Sequence, residues 1–177
     1  MLGKAGASLG KWGQQPDMQH FQDMLALTAT QIRSNQDMSA AVPITFTLDA
    51  QPDCPRTITW ALDTHAQITA FTLQITGIDS KGDSRVETFT QADGWSGATN
   101  YAYATVTSVI LTARTGTGVG DTMDIGIGSK VGLKRHITAS TDVYKVKKNN
   151  ADYPAASYTV NTTYGTVDLS TGGAITG

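Results

Sequence analysis

From Ile68 to Val109 apolar and polar residues alternate with a period of two, the signature of half-buried strands. Phe71, Leu73 and Ile75 fall on one face, and Thr72, Gln74 and Thr76 fall on the other. The run Gly77-Ile78-Asp79-Ser80-Lys81-Gly82-Asp83 reads as a turn. Gly82 accepts a positive φ there, and the Asp and Ser side chains can bond nearby backbone groups. The chain returns through Val86, Thr88 and Thr90 and then crosses a glycine-bearing loop. It next enters Ala104-Thr105-Val106-Thr107-Ser108-Val109, which is β-branched nearly throughout and suits a central strand. The stretch specifies a hairpin and a third strand. It carries no recognisable reaction chemistry.

The flanking segments extend this pattern. Residues 1–15 are glycine-rich without periodicity and read as a flexible arm, with Trp12 as a candidate anchor and solvent-exposed disorder as the alternative. Pro16 suits a helix start, and Met18, Phe21, Leu25 and Ile32 keep helical spacing. A short helix is expected over 16–27; after Leu25, however, Leu27, Thr28, Thr30 and Ile32 fit a strand equally well. Val42, Ile44, Phe46 and Leu48 alternate with polar residues, and Pro43 belongs at an edge or strand start. Ile58, Trp60 and Leu62 point inward along another strand, with Trp60 in the core. Gly94-Trp95-Ser96-Gly97 is read as loop, and Trp95 there either faces a partner or folds back. Thr115 to Asp121 is read as a hairpin turn. Strands are expected at Thr122–Gly128, Val143–Lys147, Tyr158–Val160 and Thr166–Leu169. The expected fold class is all-β: a single β-sandwich or barrel-like domain over 41–170, an N-terminal arm over 1–40 with one short helix, and a tail over 171–177.

Charge excludes some functions. Charged residues are 16% of the 177-residue chain, against roughly 25% in an ordinary soluble domain. Net charge is −2, too small for a field that gathers nucleic acid or an anionic membrane. The basic runs Lys134-Arg135-His136 and Lys145-Val146-Lys147-Lys148 are each too short for a phosphate-binding surface. Cys54 is the single cysteine, which suits assembly in a reducing cytosol. No apolar run reaches the roughly 20 residues that span a bilayer, and residues 1–15 lack the apolar core of a secretory signal.

The chemistry-bearing residues do not form a reactive pattern. His20, His65 and His136 are far apart and outside metal-ligand spacings. Asp79, Asp83 and Glu87 gather around one hairpin and could present oxygens to calcium. They lack the D-x-D-x-D-G spacing, so turn stabilisation is the preferred reading. Gly116, Gly118 and Gly120 make a G-x-G-x-G string, but a strand follows rather than the helix a phosphate loop needs. Cys54 has a carboxylate beside it, which disfavours its thiolate. The expectation is no enzyme, no metal and no cofactor.

Several phrases in order resemble small β-rich proteins of tailed-bacteriophage virions. They are Pro52-Asp53-Cys54-Pro55-Arg56, then Thr76-Gly77-Ile78-Asp79 with Gly82 and Glu87-Thr88, and Ala104 to Val109. Gly126 to Leu133, Asp142-Val143-Tyr144-Lys145 and Gly165-Thr166-Val167-Asp168 complete them. They run from about residue 52 to residue 168, and the first 40 residues carry none. The resemblance implies a virion structural protein, assembled in the host cytoplasm. The leading expectation is a capsid decoration or cement protein that binds the major capsid protein and neighbouring copies of itself, with no specific nucleic acid and no membrane. Its interface residues would be Trp12, Phe21 and Trp95 as anchors, with Lys134, Arg135, Lys145, Lys147 and Lys148 as charged contacts. The alternatives are a neck, tail-completion or tail-tube ring, and a glycan-binding domain of a fibre that uses Trp95, Tyr101 and Tyr103.

Overall fold

The computed structural model describes residues 28–135, 137–140, 143, 146–148, 151–152 and 158–169. Within them the protein is all-β. The strands are β1 (Arg33–Asp37), β2 (Ile44–Thr45), β3 (Arg56–Leu62), β4 (Ile68–Asp79), β5 (Ser84–Thr90) and β6 (Ser96–Ala98). They continue as β7 (Tyr103–Gly116), β8 (Thr122–Gly132), β9 (Lys147–Lys148), β10 (Ala151–Asp152), β11 (Thr159–Asn161) and β12 (Thr166–Asp168). Ten form one sheet in the order β11-β12-β8-β3-β7-β4-β5, with β1 on β8, β2 on β7 and β6 on β3. Strands β9 and β10 make a separate two-stranded ladder. A 3-10 turn, Gln91–Asp93, interrupts the strands between β5 and β6. The expected helix over 16–27 and the tail over 171–177 lie outside the described residues.

The sheet is two blocks joined at one corner. Strand β8 has β3 along one edge, with β1 and β12 along the other. Strand β7 has β4 along one edge and β2 along the other. The blocks meet where Arg56 of β3 pairs with Tyr103 of β7. The sheet then doubles over, so that β3 faces strands it does not pair with: Trp60 lies 5.7 Å from the Phe71 ring of β4 and 5.5 Å from the Phe89 ring of β5.

Alternation explains the core. Ile58, Trp60 and Leu62 of β3, Phe71, Leu73 and Ile75 of β4, and Met123, Ile125 and Ile127 of β8 are all buried. They share one apolar cluster with Val106, Val109 and Leu111 of β7. Each such side chain contributes about 1.5–3 kcal/mol of burial free energy. Beyond the short β2, Phe46 still donates its N–H to Val109, and Ile44 and Phe46 point inward as the alternation predicts.

Several boundaries differ from expectation. Arg33–Asp37, expected within an arm, is a strand of the sheet: β1 pairs with β8, and the flanking Ile32 and Met38 are fully buried. Strand β4 continues through Gly77 and Ile78 to Asp79, so the turn is only Ser80–Asp83, with Gly82 at φ 91. Ser96–Ala98 is a strand on β3, not loop, and β7 runs on to Gly116. Residues 117–121 do not close a hairpin, because β3 lies between β7 and β8 in the sheet. Val143 and Val146 lie outside any strand; the lysines that follow form β9.

Candidate functional site

The acidic hairpin is bonded inward. Asp79 Oδ1 accepts the amides of Lys81 at 2.8 Å and Asp83 at 3.0 Å, and Oδ2 accepts Arg85 Nε at 2.8 Å. Arg85 also donates to Asp83 at 3.0 Å. Glu87 accepts the amides of Asn100 and Tyr101, the Asn100 side chain and the Tyr103 hydroxyl. These carboxylates stabilise the turn and the loop beneath it, the preferred sequence reading. No group of three or more ligand residues is arranged for a metal among the described residues.

Other reactive features are also structural. Gly116, Gly118 and Gly120 all hold positive φ and carry the chain past the end of β3 into strand β8. Arg56 is completely buried at the sheet corner and forms an ion pair with Asp53 at 3.0 Å. Burial pushes the Cys54 thiol above its ordinary 9.0 despite a hydrogen bond from Arg56, which disfavours the nucleophilic thiolate. A cleft of about 110 Å³ beside Phe71 and Arg114 is well below the roughly 300–1,000 Å³ of small-molecule sites.

The aromatic candidates are covered. Trp95 is half-buried and folds back on the domain; His65 stacks on it at 4.2 Å and 8°, and Phe71 lies 6.0 Å away. Tyr101 has the Arg85 guanidinium over its face at 4.6 Å and the Tyr164 ring at its edge at 5.1 Å. Tyr103 is buried. Lys134 and Arg135 are exposed just after β8. They sit near the Arg56 end of β3, whereas Trp95 accepts the Leu62 amide at the other end. The structure therefore does not bring these candidates together. Lys147 and Lys148 fall in β9. Trp12, Phe21 and Lys145 lie outside the described residues.

What the structure does assemble is an uncharged sheet face. Opposite the core, β4 presents Thr72, Gln74, Thr76 and Ile78, paired in unbroken register with Thr90, Thr88, Val86 and Ser84 of β5. On the other side of β4 the same residues pair with Ala113, Ile110, Ser108 and Thr105 of β7, and Thr45 of β2 pairs with Ile110. None of these side chains is ionisable. The charges of these strands, Asp79, Arg85, Glu87 and Arg114, fall at the alternate positions, on the other face. Val86, Thr88 and Thr90, expected along the returning strand, lie on its outward parity. The signal was there, in four uncharged residues at one parity of β5.

No family model, curated protein or solved structure matches this chain.

Proposed function

We propose that this chain is a virion structural protein, a decoration protein whose uncharged sheet face packs against the major capsid lattice. The observation that carries the reading is the face of β2, β7, β4 and β5. Covering it desolvates no ion and immobilises mostly short side chains, so association loses little to either term. The resemblance of the phrases quoted above to small β-rich proteins of tailed-phage virions suggests the setting. Glycan binding is the weaker reading, because the rings of Trp95, Tyr101 and Tyr103 are stacked, capped or buried.

The test is copy number per purified particle, by quantitative mass spectrometry against the major capsid protein. On the order of hundreds of copies is expected from icosahedral repetition. Roughly six to twelve would place the chain in a neck or tail ring instead, and absence from the particle would overturn both. A paired variant, Gln74→Lys with Thr105→Lys, charges the face without touching the core. It is expected to weaken capsid attachment by about tenfold or more while leaving thermal unfolding nearly unchanged.

A further inference from the structure

Strand β5 ends the sheet, and among the described residues no strand pairs with its outer edge. The Asp79 amide donates to Asp83 across the turn, which fixes the alternation of the ladder. Arg85, Glu87 and Phe89 therefore bond to β4, and Ser84, Val86, Thr88 and Thr90 aim their N–H and C=O groups away from it. The Thr90 amide is taken by Asp93 at 2.7 Å. Those of Ser84, Val86 and Thr88 have no partner among the described residues.

Natural edge strands are usually protected by proline, a bulge or outward charge. Here β5 contains no proline, its register with β4 is unbroken, and its outward face is Ser84, Val86, Thr88 and Thr90. Val86 is 57% exposed. The charges on its inner face are held within the chain, Arg85 by Asp79 and Asp83, and Glu87 by Asn100, Tyr101 and Tyr103. They remain in place when the edge is approached.

The sequence of the edge selects its partner. Ser84-Arg85-Val86-Glu87-Thr88 is complementary to itself when reversed about Val86. Laid antiparallel against a second copy, Val86 meets the partner's Val86, and Ser84 meets the partner's Thr88. Arg85 lies opposite the partner's Glu87, so no like charges meet. Ser84, Val86 and Thr88 are the residues with outward backbone groups, so each falls in a hydrogen-bonded pair. We propose that β5 is a homodimerisation edge, joining two copies into one continuous sheet about a two-fold axis through Val86. The inference goes beyond the virion reading and stands without it, since it rests on β5 alone.

The test uses the full chain and sedimentation equilibrium. Wild type is expected to show a concentration-dependent monomer–dimer equilibrium. Val86→Lys and Val86→Glu each set like charges against each other at the axis and are expected to raise the dimer dissociation constant about tenfold or more. Mixing the two variants restores dimer, because the axis then joins opposite charges. Both are surface substitutions, and matching thermal unfolding curves confirm folding. A wild type that stays monomeric up to millimolar concentration overturns the proposal. So does a dimer that both variants leave intact, or a mixture that stays as weak as its components.

Discussion

Asp79 and Arg85, six residues apart across the β4–β5 turn, meet at 2.8 Å, and this pair decides which face of β5 is charged. Arg85 turns inward to reach the carboxylate, so Ser84 and Val86 must turn outward. Turn chemistry and the character of the outer face are thus one feature of the fold.

Asp79→Asn removes the anion and leaves a single acceptor oxygen where both oxygens are used. A loss of about 1–3 kcal/mol is expected in denaturant unfolding at neutral pH. Burial pushes the Asp79 carboxyl up, but the Arg85 bond and the amides of Asp83 and Lys81 outweigh it and hold it below the ordinary 3.8. A depressed folded value gives stability that is complete above the unfolded pKa and fades as pH falls through the folded one. The gap between wild type and variant should therefore narrow from about pH 5 to about pH 2. A gap constant over that range would show that the charge of Asp79 is irrelevant.

Asp63→Asn has the opposite sign. Burial, the hydrogen bond shared with Asp124 and the charge of Asp124 push the Asp63 carboxyl above 3.8. Asp124 is itself 8% exposed and accepts the Asn35 amide at 2.6 Å. A raised folded value favours the fold at low pH, and that advantage is lost as pH rises through it. The variant should be slightly more stable than wild type at pH 7, by no more than about 0.5 kcal/mol because Asp63 is exposed. The gain should vanish in acid. Destabilisation at neutral pH would contradict the pairing.

Gly97→Ala probes the packing of β6 over the core. An added Cβ would lie 2.7 Å from Trp60 Cζ2 and 3.0 Å from Cε2. The expected loss is about 1–3 kcal/mol, with a shift in tryptophan emission. In the Trp60→Phe background the same change should be milder, and a double-mutant cycle measures the difference. Simple additivity would mean that the two residues do not touch.

Tyr103 should resist alkali. Burial raises its phenol, the charge of Glu87 and its 3.2 Å hydrogen bond add to this, and the result lies well above the ordinary 10.0. The stability this gives is present below the unfolded pKa and is lost as pH rises through the folded one. In a tyrosinate titration, one late step should coincide with alkaline unfolding, and Tyr103→Phe should delete it. An unchanged titration would place that step on another tyrosine.

The sequence made part of this fold legible. Phe71, Leu73 and Ile75, like Ile58, Trp60 and Leu62, alternate cleanly because one face of each strand meets a single shared core. Strand β5 was harder to read. Val86 is apolar and outward while Arg85 and Glu87 are charged and inward, so hydropathy inverts the true parity. What holds it is a set of hydrogen bonds to Asp79, Asn100 and Tyr101, and periodicity does not report those. The place of Arg33–Asp37 beside Thr122–Ile125 was also hidden, since pairing across some ninety residues leaves no local trace. For the same reason residues 117–121 looked like a hairpin, although the neighbour of β8 is β3. The four uncharged residues at one parity of β5 were legible, but that this parity points outward became visible only with the register.

The corner at Arg56 and Tyr103 has a consequence for how the chain is made. Synthesis delivers β3 early, but β6, β7 and β8 border it, and all of them leave the ribosome later. Strands β4 and β5 can close their hairpin as soon as Thr90 is free, because their pairing is local. One edge of Trp60's strand waits for Ser96–Ala98, and the other stays bare until Gly132 has been added. Non-local pairing of this kind forms slowly and leaves sticky intermediates in the interval. During translation, then, β3 needs a chaperone's shelter, as does β1, whose partner is also β8.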